Sequence, residues 1–201
     1  FFEAPEINGI NEELLARACP GQLRDGQRWL LALSQEHTIE STATLDQRIV
    51  AATKQAPFCF KDPRFCYTLP IWRPHLGDCG IICVFRHPAL TANSITEECN
   101  KANYLADVDM TQERALQTWM AMYRQVLQTH SKTGDWLFIH YDQVLTPEGI
   151  SRMGEFLNCP VNTDFPDRHL RRKPPQLALP PETEQMYAEL CALAGYEPPE
   201  T

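Results

Sequence analysis

The chain has 201 residues, 43% of them hydrophobic and 22% charged, and a chain of this length and composition is expected to fold as a single domain over residues 1–201. It carries 18 Lys and Arg against 26 Asp and Glu, and the resulting net charge of −8 argues against a protein that coats nucleic acid. No apolar run approaches the roughly 20 residues of a membrane-spanning helix, and no stretch is typical of a signal peptide. We therefore expect neither a nucleic-acid partner nor a membrane.

Apolar residues recur at helical spacing in several parts of the chain. Near the amino end, Ile7, Ile10, Leu14 and Leu15 predict a helix that ends by Pro20-Gly21. Five further helices are predicted, over about 44–56, 89–103, 111–130, 147–157 and 181–194. The segment 65–79 shows only mixed polarity and is expected to be a loop over the sheet.

Three short segments rich in β-branched and aromatic residues predict strands, at Phe58–Phe60, Ile81–Phe85 and Trp136–Ile139. Their near-continuous apolar character is typical of strands that are buried on both faces. Strands that alternate with helices in this way predict an α/β fold, a three-layer α/β/α arrangement around a mostly parallel central sheet.

Polar residues follow each predicted strand. The first strand is followed by Lys-Asp-Pro-Arg at 61–64, the second by Arg-His-Pro at 86–88, and the third by His-Tyr-Asp at 140–142. Because ligands of open α/β sheets bind beyond the carboxyl ends of the strands, we expect Lys61, Arg86 and Asp142 to lie along one edge.

Arg86 and Ser94 form the most specific pattern in the chain. Arg86 ends a strand, and Ser94 lies eight residues later, in the helix that Pro88 begins. A guanidinium and a hydroxyl near a helix amino end suit a phosphate group. The basic cluster Arg168, His169, Arg171, Arg172 and Lys173 is a second candidate anion site, with a solvated turn as its alternative.

The eight cysteines show neither zinc-knuckle spacing nor the density of a disulfide scaffold, and several lie in apolar segments. We interpret them as free thiols of a cytoplasmic protein. His140 lies inside an apolar strand and is interpreted as a hydrogen-bonded core histidine, and no pair of histidines has the spacing of a metal site. We therefore expect no metal.

These motifs together resemble the sulfotransferases, enzymes with a P-loop kinase-like fold. The Phe-Arg-His-Pro segment at 85–88 followed by Ser94 resembles the segment that binds the 3′-phosphate of the donor nucleotide, 3′-phosphoadenosine 5′-phosphosulfate (PAPS). The segment 61–64 resembles the strand exit of bacterial and tyrosylprotein-type members, and Tyr141-Asp142 resembles a Tyr-Glu-Asp-Leu segment. Arg171, Arg172 and Lys173 lie where the family carries a late basic loop.

The resemblance implies a role for each of these residues. Arg86 and Ser94, with Arg171, Arg172 and Lys173, would bind the 3′-phosphate of PAPS or of its product PAP, and Lys61 would reach the sulfuryl oxygens. Glu3 would be the general base, with Asp62 as the other carboxylate in reach, although a helix cap or ion pair is an equal alternative for Asp62. The acceptor is an unidentified hydroxyl or amine.

One family motif is missing from these residues. The glycine-rich phosphosulfate loop is not found between Phe1 and Thr201, and the resemblance implies that it and its strand precede Phe1. Two alternatives therefore stay open. One is a module of the same fold that binds a nucleotide or a protein without catalysis, and the other is a related P-loop phosphotransferase, which would need Mg²⁺.

Overall fold

The computed structural model describes residues 3–19, 27–105, 108–163, 166–167, 169 and 178–199. In these ranges eight α-helices and two β-strands follow one another along the chain. The helices are α1 (Pro5–Ala18), α2 (Ala43–Thr53), α3 (Phe65–Leu76), α4 (Pro88–Lys101), α5 (Gln112–Gln128), α6 (Tyr141–Val144), α7 (Pro147–Leu157) and α8 (Pro181–Ala194). The strands are β1 (Ile81–Phe85) and β2 (Trp136–His140), and short 3₁₀ turns cover Arg28–Leu31, Asn103–Leu105 and His130–Lys132.

The two strands pair in parallel, with Ile81 opposite Trp136 and Phe85 opposite His140. The chain passes from β1 through α4 and α5 to β2, as a parallel connection requires. The α/β class and the parallel pairing are therefore confirmed. Within the described ranges the sheet has these two strands and no third.

The strand predicted at Phe58–Phe60 is wrong, because this segment is irregular. The rings of Phe58 and Phe60 stack at 4.7 Å, and Phe60 packs edge-on against Trp72 of α3 at 5.8 Å. The aromatic residues that suggested a pleated strand are instead half-buried against a helix, and no strand of the described ranges pairs with them.

The predicted helices are confirmed within a few residues, and threonine caps explain several of their starts. The hydroxyls of Thr42, Thr111 and Thr146 accept hydrogen bonds from the backbone N–H groups of Leu45, Arg114 and Gly149. The loop expected at 65–79 is wrong, since most of it is the helix α3, which contains Pro70 and Pro74. Both prolines lie on the exposed face of α3.

The main core lies between one face of the sheet and the helices α5 and α8. It contains Cys83, Phe85, Trp119, Phe138 and Leu190. The opposite face is covered over β2, where Leu137 and Ile139 are buried, but Val84 of β1 is 45% exposed. The prediction that both faces of each strand are buried is therefore confirmed for β2, but it is wrong for β1, where Val84 is exposed.

Further apolar clusters hold the remaining helices. One joins α4 to α5, and another joins α1, α2 and α3 through Ile7, Ile10, Leu14 and Trp72. The four apolar residues that predicted the first helix, Ile7, Ile10, Leu14 and Leu15, are all buried. The three amino-terminal helices thus pack on one another, and α3 also contacts α5.

Candidate functional site

The carboxyl ends of β1 and β2 lie side by side, because Phe85 pairs with His140 as the last residue of each strand. Arg86 and Tyr141 are the next residues along the chain. The Arg86 guanidinium carbon lies 5.8 Å from the centre of the Tyr141 ring, within the range of a cation–π contact. The structure therefore brings two of the predicted strand exits together.

Arg86 and Ser94 also lie together. Nη2 of Arg86 donates hydrogen bonds to Oγ of Ser94 at 2.7 Å and to the backbone oxygen of Leu90 at 3.0 Å. Both partners belong to α4, which begins directly after the strand, so the arginine folds back along the first two turns of the helix. Arg86 is partly exposed. The pair thus presents a positive charge and a hydroxyl at one edge of the sheet.

His87 caps the same helix. Its Nδ1 accepts a hydrogen bond from the backbone N–H of Ala89 at 3.3 Å, and its ring lies 5.0 Å from that of Tyr187. Burial lowers the pKa of His87. A neutral ring with an unprotonated Nδ1 is the form that this cap needs.

His140 is confirmed as a buried, hydrogen-bonded histidine. Its Nδ1 accepts from the backbone N–H of Asp142 at 3.1 Å, and its Nε2 lies 3.2 Å from the Tyr187 hydroxyl. Because Nδ1 is the acceptor, the neutral ring carries its proton on Nε2 and donates it to Tyr187. The ring of Tyr196 stacks on the ring of His140, with the ring centroids 3.8 Å apart and the planes 7° from parallel.

Glu3 and Lys61 pair with each other. Lys61 Nζ donates to Oε1 of Glu3, and Nδ2 of Asn8 donates to Oε2 at 3.0 Å. Burial acts to raise the pKa of Glu3, but the hydrogen bonds from Lys61 and Asn8 and the positive charges nearby outweigh it, so that the net shift is downward. A lowered pKa makes Glu3 a weaker base while this pair is intact.

Asp62 is held in a buried network. Its side chain is 0% exposed and accepts hydrogen bonds from Asn11 Nδ2 at 2.9 Å, from the backbone N–H of Arg64 at 2.9 Å and from Arg64 Nη1 at 3.0 Å. These contacts favour the ion-pair alternative for Asp62 over the role of general base.

Arg64 extends the same network. Its Nε donates to Oε2 of Glu12 at 2.7 Å, and Glu12 also accepts from Arg28 Nη1 at 2.6 Å. Burial lowers the pKa of Arg64, but hydrogen bonds and charge from Glu12 and Asp62 raise it more, so it is higher than usual overall. The guanidinium is charged at every pH at which the protein folds, and it serves to neutralise two carboxylates.

Three predicted residues, Arg171, Arg172 and Lys173, lie outside the described residues. Within the described ranges, no group of three or more His, Cys, Asp or Glu side chains is placed to hold a metal ion.

Comparisons with protein-family models, curated proteins and solved structures found no match. In the same ranges, no helix combines the length and apolar character of a membrane span.

A cavity of about 160 Å³ lies elsewhere, between the loop 33–39, α3 and the end of α5. Its lining includes Ser34, His37, Tyr67, Thr129 and His130. None of the predicted site residues that the structure describes lines it. We place the candidate site at the sheet edge, because Arg86, Ser94 and the ring of Tyr141 meet there.

No role was predicted for Asn11 or Tyr196, although Asn11 anchors the network around Asp62 and Tyr196 contacts the end of β2. Asn11 lies in an ordinary amphipathic helix, and only its complete burial reveals its importance. Tyr196 follows the last helix in a proline-rich tail, and its contacts are with residues more than fifty positions earlier. No local pattern indicates either contact.

Proposed function

We propose that this protein is a sulfotransferase-type enzyme that transfers a sulfuryl group from PAPS to a hydroxyl or amine acceptor. The observation that carries the proposal is the contact between Arg86 and Ser94 at the carboxyl edge of a parallel strand pair. The order and spacing of the motifs, from residues 61–64 to 171–173, support it. The complete three-layer P-loop kinase-like fold and a cytoplasmic location belong to the same proposal.

The proposed reaction is a single displacement at sulfur. The acceptor oxygen or nitrogen forms a bond to sulfur while the bond from sulfur to the bridging oxygen of the 5′-phosphate breaks. PAP leaves with the electrons of that bond, and the acceptor proton passes to a base. Catalysis of such a transfer depends on in-line positioning and on neutralising the charge of the leaving phosphate.

In this proposal Arg86 and Ser94 bind the 3′-phosphate, and Arg171, Arg172 and Lys173 add positive charge to the same group. Lys61 contacts the sulfuryl oxygens. Glu3 takes the acceptor proton, which requires that its ion pair with Lys61 opens when the donor binds. The reaction needs no metal, because the donor already carries an activated group.

Calorimetric titration with PAP tests the nucleotide site. We expect Arg86→Ala to weaken binding by about 1.5–3 kcal/mol, the usual contribution of a charge-assisted hydrogen bond, and Ser94→Ala by less. Arg114→Ala is the matched control, because Arg114 is an exposed arginine at the start of α5 that pairs with Asp109. An Arg86→Ala variant that folds and binds PAP as tightly as the wild type would reject the proposal.

A nucleotide-binding module without catalysis is the second candidate, and two observations favour it. Lys61 and Glu3 neutralise each other, and Asp62 is fully buried by Asn11 and Arg64. Incubation with sulfur-labelled PAPS and a panel of hydroxyl and amine acceptors separates the two candidates. Labelled product indicates the enzyme, whereas binding of PAP with no labelled product indicates the module. Mg²⁺-dependent nucleotide hydrolysis would instead indicate a phosphotransferase.

A further inference from the structure

The carboxyl-terminal end of α8 packs against the sheet edge that carries Arg86. Gly195 ends the helix in the left-handed conformation, with φ of 59°. The backbone N–H groups of Gly195 and Tyr196 donate to the oxygens of Ala192 and Cys191, which is the pattern of a Schellman motif. This turn directs the Tyr196 side chain back towards the end of β2.

Tyr196 contacts the residues on both sides of Tyr141. Its ring stacks on His140, with centroids 3.8 Å apart and planes within 7° of parallel. Its hydroxyl donates to Oδ2 of Asp142 at 2.9 Å. One side chain therefore holds the residue before Tyr141 and the residue after it.

Two further side chains fix the same junction. Nε2 of Gln143 donates to the backbone oxygen of Ala194 at 3.1 Å, and Nη1 of Arg152 donates to the same oxygen at 2.7 Å. His140 is also held from α8 by Tyr187, at 3.2 Å. The one-turn helix α6 is thus attached to the end of α8 at several points.

We infer that Tyr196 is a positioning residue that holds Tyr141 against the Arg86 guanidinium and so orients Arg86 for an anion at the sheet edge. The guanidinium has Ser94 and Leu90 on the α4 side and the Tyr141 ring on the β2 side. Loosening the β2 side removes one of the contacts that orient it. The anion-binding part of this inference rests on the proposed function, whereas the contact between Tyr141 and Arg86 does not.

The test combines an NMR measurement with a binding measurement. The Nε–Hε resonance of Arg86 is assigned by its loss in Arg86→Lys. Its chemical shift reports the ring current of Tyr141, and the Tyr141→Leu variant gives the chemical shift in the absence of that ring. Tyr196→Phe removes the hydroxyl bond to Asp142 and keeps the ring, whereas Tyr196→Leu also removes the stack on His140. Tyr104→Phe is the matched control, because the Tyr104 hydroxyl likewise donates to a carboxylate, Glu98, at 3.0 Å.

We expect Tyr196→Phe to move the Arg86 resonance part of the way towards its position in Tyr141→Leu, and Tyr196→Leu to move it further. The dissociation constant for PAP should rise in Tyr196→Phe by at most about 10-fold, because the lost hydrogen bond acts on the anion site only through Tyr141 and Arg86. Tyr104→Phe should change neither quantity.

Two results would overturn the inference. One is an Arg86 resonance that stays unmoved in both Tyr196 variants while circular dichroism shows the fold intact. The other is an unmoved resonance in Tyr141→Leu, which would mean that the ring does not contact the guanidinium. Failure of the wild type to bind PAP would reject the proposed function alone, because the resonance is measured without a nucleotide.

Discussion

The indole N–H of Trp72 donates a hydrogen bond of 2.7 Å to the side-chain oxygen of Asn11, 61 residues earlier in the chain, and both residues are fully buried. The same oxygen accepts from the Thr68 hydroxyl at 2.8 Å, while the Asn11 amide donates to Asp62. One amide group therefore connects α1 to α3 and to the segment before it. A buried amide with all of these partners satisfied specifies one relative placement of the two helices.

Asn11→Ala should lower the free energy of unfolding by about 3 kcal/mol, because it leaves the buried indole N–H of Trp72 without an acceptor and removes a donor to the buried Asp62 carboxylate. Urea denaturation measures the change. Asn8→Ala, on the same helix, removes a partly buried amide that donates only to Glu3, and it should cost less than half as much. Equal losses in the two variants would show that the buried network adds nothing beyond one ordinary hydrogen bond.

Arg64→Met should cost about 3–5 kcal/mol, since it leaves the buried Asp62 carboxylate without its cation and leaves Glu12 paired with Arg28 alone. Arg48→Met is the control, because Arg48 forms a single, more exposed ion pair with Glu13 at 2.7 Å and should cost at most about 1 kcal/mol. Thermal or urea unfolding of both variants gives the comparison. A loss in Arg64→Met no larger than that in Arg48→Met would contradict the structural role of the network.

Two glycine substitutions should have opposite effects. A Cβ at Gly149 would lie 2.0 Å from the backbone oxygen of Gln143, so Gly149→Ala must displace the turn between α6 and α7. We expect it to destabilise the protein by about 3 kcal/mol. A Cβ at Gly9, inside α1, would meet only Arg48 at 3.8 Å, and Gly9→Ala should stabilise by about 0.5–1 kcal/mol. The melting temperatures should move in opposite directions.

The pKa of Glu3 should rise when Lys61 is replaced by Met, because the burial that raises the pKa remains and the hydrogen bond that lowers it is lost. Carboxyl NMR titration measures this shift, and Lys101→Met, which breaks an exposed pair on α4, should leave it unchanged. The pKa of Glu3 is lower in the folded protein than in the unfolded chain. The ion pair therefore stabilises the fold fully at pH values above the unfolded-state pKa, and this stabilisation is lost as the pH falls below about 4. A Glu3 pKa that is the same with and without Lys61 would show that the pair does not form in solution.

His87→Ala should cost about 1 kcal/mol by removing the cap of α4, and His87→Asn should restore most of it, since asparagine caps well. His37→Ala, at an exposed histidine, is the control. Burial lowers the pKa of His87 in the folded protein. The stabilisation from its helix cap is therefore complete at pH values above the pKa of the unfolded chain, and it is lost as the pH falls through the lower pKa of the folded protein. The wild type should therefore lose more stability than His87→Asn between about pH 7 and pH 5. Parallel losses in the two proteins would contradict the cap.

The sequence predicted elements wherever a local pattern decides the structure. The helix predicted over 111–130 is the helix Gln112–Gln128, and the last helix runs over 181–194 as expected. Local rules failed where a distant partner decides. Proline normally ends helices, yet α3 accommodates Pro70 and Pro74 because Trp72, Leu69 and Thr68 are buried on its other face.

The candidate site was predictable in part. The distance of eight residues between Arg86 and Ser94 fixes their proximity once a strand is followed directly by a helix, and the structure brings them together. The pairing of Glu3 with Lys61 and the burial of Asp62 depend on how α1 packs beside residues 61–64, which no local spacing encodes. Tyr196 reaches His140 only because Gly195 reverses the chain at the end of α8.

The bond from Arg86 to Ser94 also bears on which ligand charge this corner of the protein would favour. Since the guanidinium N–H occupies one lone pair of the serine oxygen, the hydroxyl keeps its O–H as a donor and one lone pair as an acceptor. An oxyanion bound beside the pair, as proposed, would accept hydrogen bonds from both the guanidinium and the hydroxyl. A cation in the same place would be repelled by the positive charge of Arg86.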